Sequence, residues 1–352
     1  MLDYSKIIFV FCLAFVLALV LTKLVMIFAS KYQIVDRPEL AARKIHTQAL
    51  PLAGGIAIYL SWLLVVIFLW LNNSLIDTRV NTDLLVWFLL GGLLLVLAGL
   101  ADDKWHLPAK WSIWGPILAI MVLMLAGLKV SYITNPGGGV LYLDHWWGGF
   151  FSIILTFVWL LGMTYTTKLL DGLDGLATSI GLVASIVIFL VSLSWDVVGS
   201  TTSWLAISLA GVLAGFLFWN WQPAKIFLGE GGSTLIGFTL GVLAIISGSK
   251  IATALLVMGL PVLDILIVII RRLIKHKPWW QGDQEHLHFR LLSAGLKQYQ
   301  AVLLLSFISL AFGLVSLFVT TRAKLSALVL LIIIMLAISL WLNYKLKNKN
   351  YV

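Results

Sequence analysis

The sequence predicts an all-α polytopic membrane protein of about eleven transmembrane helices, and three observations predict it. Of 352 residues, 61% are hydrophobic and 11% charged, with a mean hydropathy of +1.04. Soluble domains are roughly half apolar and a quarter charged. Apolar runs long enough to cross a bilayer recur from end to end, and Lys and Arg are distributed unevenly between the segments that join them. Eleven runs of about twenty residues consume about 220 and leave roughly 130 for ten loops and two tails. No soluble domain fits, so residues 1–352 form one integral-membrane unit.

The runs fall at residues 7–30, 51–71, 84–101, 113–130, 150–168, 175–194, 204–219, 233–248, 251–270, 300–320 and 325–343. The first is too long for a signal-peptide core and has no small-residue cleavage site before Lys31, so it is expected to stay as a span. The single cysteine, Cys12, lies inside it, which excludes a disulfide framework and a Cys-based metal site. With the N-terminus outside and the C-terminus cytoplasmic, the inner segments carry 17 of the 24 basic residues and the outer ones 6. That asymmetry is the positive-inside bias. It accounts for most of the +9 net charge without a nucleic-acid partner. The largest inner loop is 271–299, and 300–352 supplies two last spans and a basic tail. Trp residues near span ends, among them Trp70, Trp105 and Trp111, fit interfacial anchors.

Acidic residues are few enough to place singly. Asp102 and Asp103 close span three, Asp171 and Asp174 join spans five and six, and Glu230 precedes span eight. A carboxylate where a helix leaves the bilayer is costly to desolvate. Five of them in three inner loops point to a shared polyvalent cation or a phosphate-metal substrate. The spacing of Asp171 and Asp174 puts both on one face if the segment is helical. Phe227-Leu-Gly-Glu230-Gly-Gly-Ser233 opens a span with glycines, so free N–H groups and a helix dipole point beside Glu230, the makings of a pyrophosphate cradle. In the large loop, Asp283-Gln-Glu-His286-Leu-His288-Phe-Arg290 offers two imidazoles and a guanidinium. These suit phosphate and sugar hydroxyls better than a metal, since no third ligand of matching softness lies nearby. Asp264, within span nine, is expected to pair with a polar group on a neighbouring helix.

The order of these motifs resembles the polyprenyl-phosphate N-acetylhexosamine-1-phosphate transferases: His46 with Pro51 and Gly54-Gly55, then Asp102-Asp103-Lys104, Asp171-Gly-Leu-Asp174-Gly-Leu, Phe227 to Ser233, and Asp283 to His288. The similarity runs from about Val35 to Leu296. The stretch from Val35-Asp36-Arg37-Pro38 through Ile45-His46 to Gly54-Gly55-Ile56 looks more like the N-acetylglucosamine branch than the muramoyl-pentapeptide branch. The resemblance implies that a polyprenyl (undecaprenyl) phosphate attacks the β-phosphorus of a UDP-N-acetylhexosamine, with Mg²⁺ or Mn²⁺ assisting and UMP leaving, at the cytoplasmic face of a bacterial plasma membrane. It implies Asp102, Asp103, Asp171 and Asp174 as catalytic acids, with Glu230 and Asp171 on the metal. His46, Lys104, Lys168, Phe227, Ser233, His286, His288 and Arg290 are implied in substrate binding, Phe227 as the uracil-stacking ring. Membrane lipid is the surrounding partner, and a homodimer is left open.

Two departures fall at metal-contacting positions. Lys168 stands where the family usually has Asn, and Glu230 where it usually has Asp; Phe289 replaces a third histidine. An ammonium beside a divalent site repels the ion, so Lys168 and Glu230 are expected to act as a coupled pair. Two competing readings are a lipid or small-solute transporter or flippase and a degenerate, non-catalytic homologue. The first is disfavoured because the polar residues gather at one face and not at the midplane, where carriers bind.

Overall fold

The computed structural model describes residues 4–36, 49–75, 80–135, 137–195, 199–248, 250–276 and 285–349. Each of the eleven expected runs contains a helix. In chain order these are α1 (Tyr4–Lys31), α2 (Gly54–Leu71), α3 (Thr82–Trp105), the short α4 (Ala109–Ser112) leading into α5 (Trp114–Leu125), and α6 (Phe150–Leu170). Then follow α7 (Leu176–Trp195), α8 (Thr201–Asn220), α9 (Gly229–Ile246), α10 (Ile251–Val257), α11 (Gly259–Ile274), α12 (Leu287–Ser293), α13 (Gln298–Phe318) and α14 (Thr321–Lys349). Two small antiparallel hairpins complete the chain: β1 (Val35–Asp36) with β2 (Leu50–Pro51), and β3 (Tyr132–Thr134) with β4 (Val140–Tyr142).

Two spans differ from the expectation of uniform straight helices. Among the described residues, nine helices are long and apolar enough to cross a membrane alone. The run 251–270 is instead a pair, α10 and α11, bent by 76° at Met258. Gly259 opens the second half and Pro261 sits in its first turn, where a missing N–H costs nothing. The stretch Ala109–Leu125 is a shorter apolar helix, and its chain continues into the β3–β4 hairpin. Helix α11 runs on to Ile274, and α12 occupies part of what reads as a loop in 271–299.

Helix α9 is the axis of the bundle, buried on nearly every face. Lipid tails are as apolar as the helices, so close packing takes over from the hydrophobic effect as the force between spans. The packing here is backbone on backbone. A Cβ on Gly99 of α3 would lie 2.1 Å from the Gly231 nitrogen, and one on Gly55 of α2 would lie 2.5 Å from the Gly232 nitrogen. The first turn of α9 is thus clamped between α2 and α3. The N–H groups of Gly54 and Gly55 donate to the carbonyls of Phe227 and Leu228, while the Phe227 N–H donates to the Pro51 carbonyl. Helices α1 and α14 turn large apolar side chains outward, including Phe9, Leu24, Ile333 and Leu340, as lipid contact requires.

Candidate active site

The clamp brings three of the acidic motifs to one end of the bundle. Both oxygens of Asp103 accept the Glu230 N–H, at 3.1 and 3.2 Å, so this carboxylate caps α9. The free donors expected at this helix start are therefore partly taken by the protein's own acid. Asp102, its neighbour, accepts the Leu107 N–H at 3.0 Å and the Ser112 hydroxyl at 2.5 Å. Lys168, in the last turn of α6, places Nζ 2.8 Å from Glu230 Oε2 and donates to Ser112 Oγ at 3.2 Å. The ion pair expected between Lys168 and Glu230 is present.

Asp171 and Asp174 do not lie on a helix. The chain leaves α6 at Asp171 and turns through Gly172 and Gly175 before α7 begins at Leu176. Gly175 has φ +75°, which a side chain disfavours, and a Cβ on Gly172 would lie 2.3 Å from His288 Nε2. The turn holds the two acids apart in role. Asp174 accepts the Ala224 N–H at 3.1 Å, tying this turn to the segment before Phe227. Asp171 has no hydrogen-bond donor among the described residues. Burial first, then the charges of Glu230 and Asp174, push its carboxyl up to about 8.

The imidazoles arrive from the other side. Asp264 of α11 accepts from His286 Nδ1 at 3.0 Å and from the Leu287 N–H at 2.8 Å, so the polar partner of this intramembrane acid is the His-x-His segment. The rings of His286 and His288 stack at 5.7 Å, and Phe289 lies 4.2 Å from His288. His288 Nε2 is buried against Gly172 without a hydrogen-bond partner among the described residues. Burial pushes this imidazole down to about 4, and His286 adds to the shift while Asp264 opposes it.

Other expected site residues are placed differently. Arg290 donates to the Ser339 carbonyl at 3.1 Å and Asn343 Oδ1 at 2.6 Å, so its guanidinium is directed to α14. Ser233 is buried and its hydroxyl bonds back to the carbonyls of Gly229 and Glu230, as serines inside helices do. Lys104 is exposed, 5.5 Å above the Trp105 ring. Phe227 is half-buried, with its backbone pinned to the β2–α2 segment. His46 and Asp283 lie outside the described residues. Sequence reasoning missed Ser112, and also Asn220, whose side chain accepts from Thr178 and donates to the Ile226 carbonyl, bracing Phe227. Hydroxyls and amides are too common for spacing alone to single these out.

No three His, Cys, Asp or Glu side chains among the described residues converge into a closed metal cage. Mg²⁺ needs none, because it is held by one or two carboxylates with water and substrate phosphates. Asp171, half-buried and with no donor among the described residues, and Glu230, whose charge acts on it, fit that donor set.

The sequence profile of glycosyl transferase family 4 matches residues 85–248, the stretch from α3 through α9 that carries Asp102 to Glu230. The decaprenyl-phosphate N-acetylglucosaminephosphotransferase of Mycobacterium leprae is 32% identical over 81% of this chain and 76% of its own length. The chain belongs to glycosyl transferase family 4. This family 4 member is also 29% identical to a probable undecaprenyl-phosphate N-acetylglucosaminyl 1-phosphate transferase of Bacillus subtilis, over 88% of the chain and 84% of that protein. A phospho-N-acetylmuramoyl-pentapeptide-transferase of Desulforamulus reducens is 32% identical over a shorter stretch, 58% of the chain and 60% of that protein. The family 4 chain is accordingly a multi-pass membrane transferase.

Proposed function

We propose that this protein transfers N-acetylhexosamine-1-phosphate, most simply GlcNAc-1-phosphate, from a UDP-sugar to a polyprenyl phosphate at the cytoplasmic membrane face. The observation that carries the reading is the gathering of Asp102, Asp103, Asp171, Asp174 and Glu230 at one end of an apolar bundle, with the Lys168 ammonium paired to Glu230 and linked through Ser112 to Asp102. The names of the relatives, which act on undecaprenyl or decaprenyl phosphate, and the positive-inside bias support the substrate and the face.

A phosphate oxygen of the lipid attacks the β-phosphorus of the UDP-sugar. The bond from that phosphorus to the oxygen shared with UMP breaks, and UMP leaves with the electron pair. Such a transfer asks for positioning and charge neutralisation more than for covalent chemistry. A phosphate monoester has a second pKa of about 6, so the attacking group is already largely ionised at neutral pH and needs no strong base. Asp103 is consistent with that, since its carboxylate is committed to capping α9. Asp102, held at both oxygens, orients the acceptor phosphate. Asp171 and Glu230 would hold Mg²⁺, which when bound neutralises the pyrophosphate charge, and Lys168 carries part of the same task. Phe227 stacks on uracil, and His288 offers Nε2 to the sugar-phosphate.

The test supplies membranes containing the protein with a UDP-N-acetylhexosamine, a polyprenyl phosphate and Mg²⁺, and follows UMP and the lipid-linked sugar. Release of UMP that depends on both substrates is expected. No release with any UDP-N-acetylhexosamine would overturn the reading.

A further inference from the structure

The four-residue helix α4 ends on Ser112, whose hydroxyl stands between two charged groups of the acid cluster. Ser112 Oγ lies 2.5 Å from Asp102 Oδ2 and 3.2 Å from Lys168 Nζ. An ammonium can only donate, an ionised carboxylate can only accept, and a hydroxyl has one proton to give. The directions are therefore forced: Lys168 donates to Ser112, and Ser112 donates to Asp102. Lys168 Nζ also forms an ion pair with Glu230 Oε2 at 2.8 Å. Asp102, Ser112, Lys168 and Glu230 thus form one chain of contacts crossing from α3 through α4 to α6 and α9.

The two oxygens of Asp102 are held differently. Oδ1 is fixed by the backbone N–H of Leu107, just past the left-handed turn at His106 that ends α3. Oδ2 is fixed by Ser112 alone among the described side chains. Ser112 is therefore the side chain that sets how the Asp102 carboxylate is turned. It also sets how the Lys168 ammonium is divided between Glu230 and the Asp102 side of the cluster. The neighbours of Ser112 on this segment, Lys110, Trp111 and Trp114, are exposed, so the hydroxyl is the one polar group of α4 turned inward.

We propose that Ser112 is a positioning residue, one that aims Asp102 at the acceptor phosphate and holds Lys168 between the two acids it serves. The inference rests on the transfer reaction proposed above. Removing the hydroxyl leaves Asp102 Oδ2 and one Lys168 proton unpartnered, and a hydrogen bond to a charged group is worth enough to change rates about 10- to 100-fold.

The experiment compares Ser112→Ala and Ser112→Thr with the parent protein, varying polyprenyl phosphate and UDP-GlcNAc separately. Ser112→Ala is expected to lower kcat/KM for the polyprenyl phosphate by about tenfold or more and to affect the UDP-sugar less. Ser112→Thr, which keeps the hydroxyl, is expected to recover most of the loss. Parent-like turnover of lipid phosphate by the Ala variant would overturn the assignment. So would equal losses toward both substrates that Thr fails to rescue, the pattern of a merely structural residue. A second readout is independent of turnover: a double-mutant cycle on thermal stability with Ser112→Ala and Lys168→Met, in which shared contact makes the losses non-additive. Additive losses would overturn the contact chain even if the parent protein released no UMP, an outcome that by itself counts only against the reaction.

Discussion

The two flanks of the site handle charge in opposite ways. On the flank built by α3, α6 and α9, Glu230 and Asp102 lie in the field of the Lys168 ammonium, and Asp171, with no donor among the described residues, is pushed up to about 8. On the flank built by α11, α12 and α14, the guanidinium groups and the one acid, Asp264, are held by protein partners. Arg290 is bonded to Ser339 and Asn343, and Arg271 reaches the Ser339 hydroxyl. Burial, followed by the nearby charge of Arg271, pushes Arg290 below the usual guanidinium range. Buried polar groups in folded proteins are nearly always bonded, and the exceptions gather at functional sites. The contrast therefore assigns a structural task to the guanidinium side and a ligand-completed task to the carboxylate side.

The largest effect that follows separates the two tasks. Asp171→Asn is expected to lower kcat by about 10²- to 10³-fold, the scale of losing one preorganised charge contact in phosphoryl or acyl transfer. Its thermal stability should stay level or rise, because a carboxyl with no donor among the described residues is replaced by a neutral amide. Arg290→Ala is expected to do the reverse, costing about 1–3 kcal/mol of stability as the α12–α14 tie is lost. UDP-sugar titration and thermal unfolding of both variants check this. An Arg290→Ala protein of normal stability that no longer binds UDP-sugar would make Arg290 a phosphate clamp and dissolve the contrast.

Asp264 tests whether the guanidinium flank also positions chemistry. It is the acceptor for His286 Nδ1 and for the Leu287 N–H that opens α12. Asp264→Ala strips both of their acceptor and is expected to cost about 1–3 kcal/mol of stability. Asp264→Asn keeps one acceptor oxygen and should cost less. Because His288 rests on Gly172 beside Asp171, both variants should also lower kcat, Ala more than Asn. Stability loss with unchanged kcat would confine Asp264 to the fold.

Much of this arrangement is legible in the sequence, for reasons that differ by residue. The spans are legible because bilayer crossing demands about twenty apolar residues. The acids are legible because a carboxylate in so apolar a chain has few structural excuses, and Asp102, Asp103, Asp171, Asp174 and Glu230 do meet. The 76° break at Met258 is not legible, since Gly259 and Pro261 are compatible with an unbroken helix start and with a bend alike. Side-chain direction is the other gap. Spacing places Arg290 and Ser233 near the motifs, but only the packed structure shows one turned to α14 and the other folded onto its own helix. Asp171 and Asp174 are readable as a pair, but the chain leaves helical geometry already at Asp171, where φ is −76° and ψ 56°.

Lys168 and Glu230 sharpen the account of the carboxylate flank. At 2.8 Å the two charges form one unit; in the proposed reaction the ammonium would take part of the pyrophosphate charge and the carboxylate would reach the cation. Lys168→Asn and Glu230→Asp are each expected to reduce kcat/KM roughly tenfold, the effect of about 1.4 kcal/mol on a barrier, and the double variant to recover most of it. The measurement is a double-mutant cycle with Mg²⁺ titrated at each corner. Strictly additive losses would separate the positions, and full activity in EDTA would remove the divalent ion from the reaction.

The smallest expected effect belongs to His288, where the two flanks touch. Burial holds its imidazole down to about 4, against 6.5 for a free histidine. The folded protein therefore stays unprotonated over a range in which the unfolded chain takes up a proton. By linkage, a side chain with a lowered basic pKa leaves stability intact above about pH 6.5 and withdraws it as pH falls toward 4. Between pH 7 and 5.5 the loss amounts to about 1 kcal/mol for this one group. His288→Gln keeps a polar side chain against Gly172 without a proton to gain, so its unfolding temperature should fall less steeply with acid than that of the parent. The sign distinguishes this histidine from one that gains a carboxylate partner, which would stabilise the fold as pH drops. Thermal unfolding of both proteins from pH 7.5 to 5.5 decides it: parallel curves would mean that His288 titrates freely, and that the contact with the Asp171–Asp174 turn is looser than the packing on Gly172 requires.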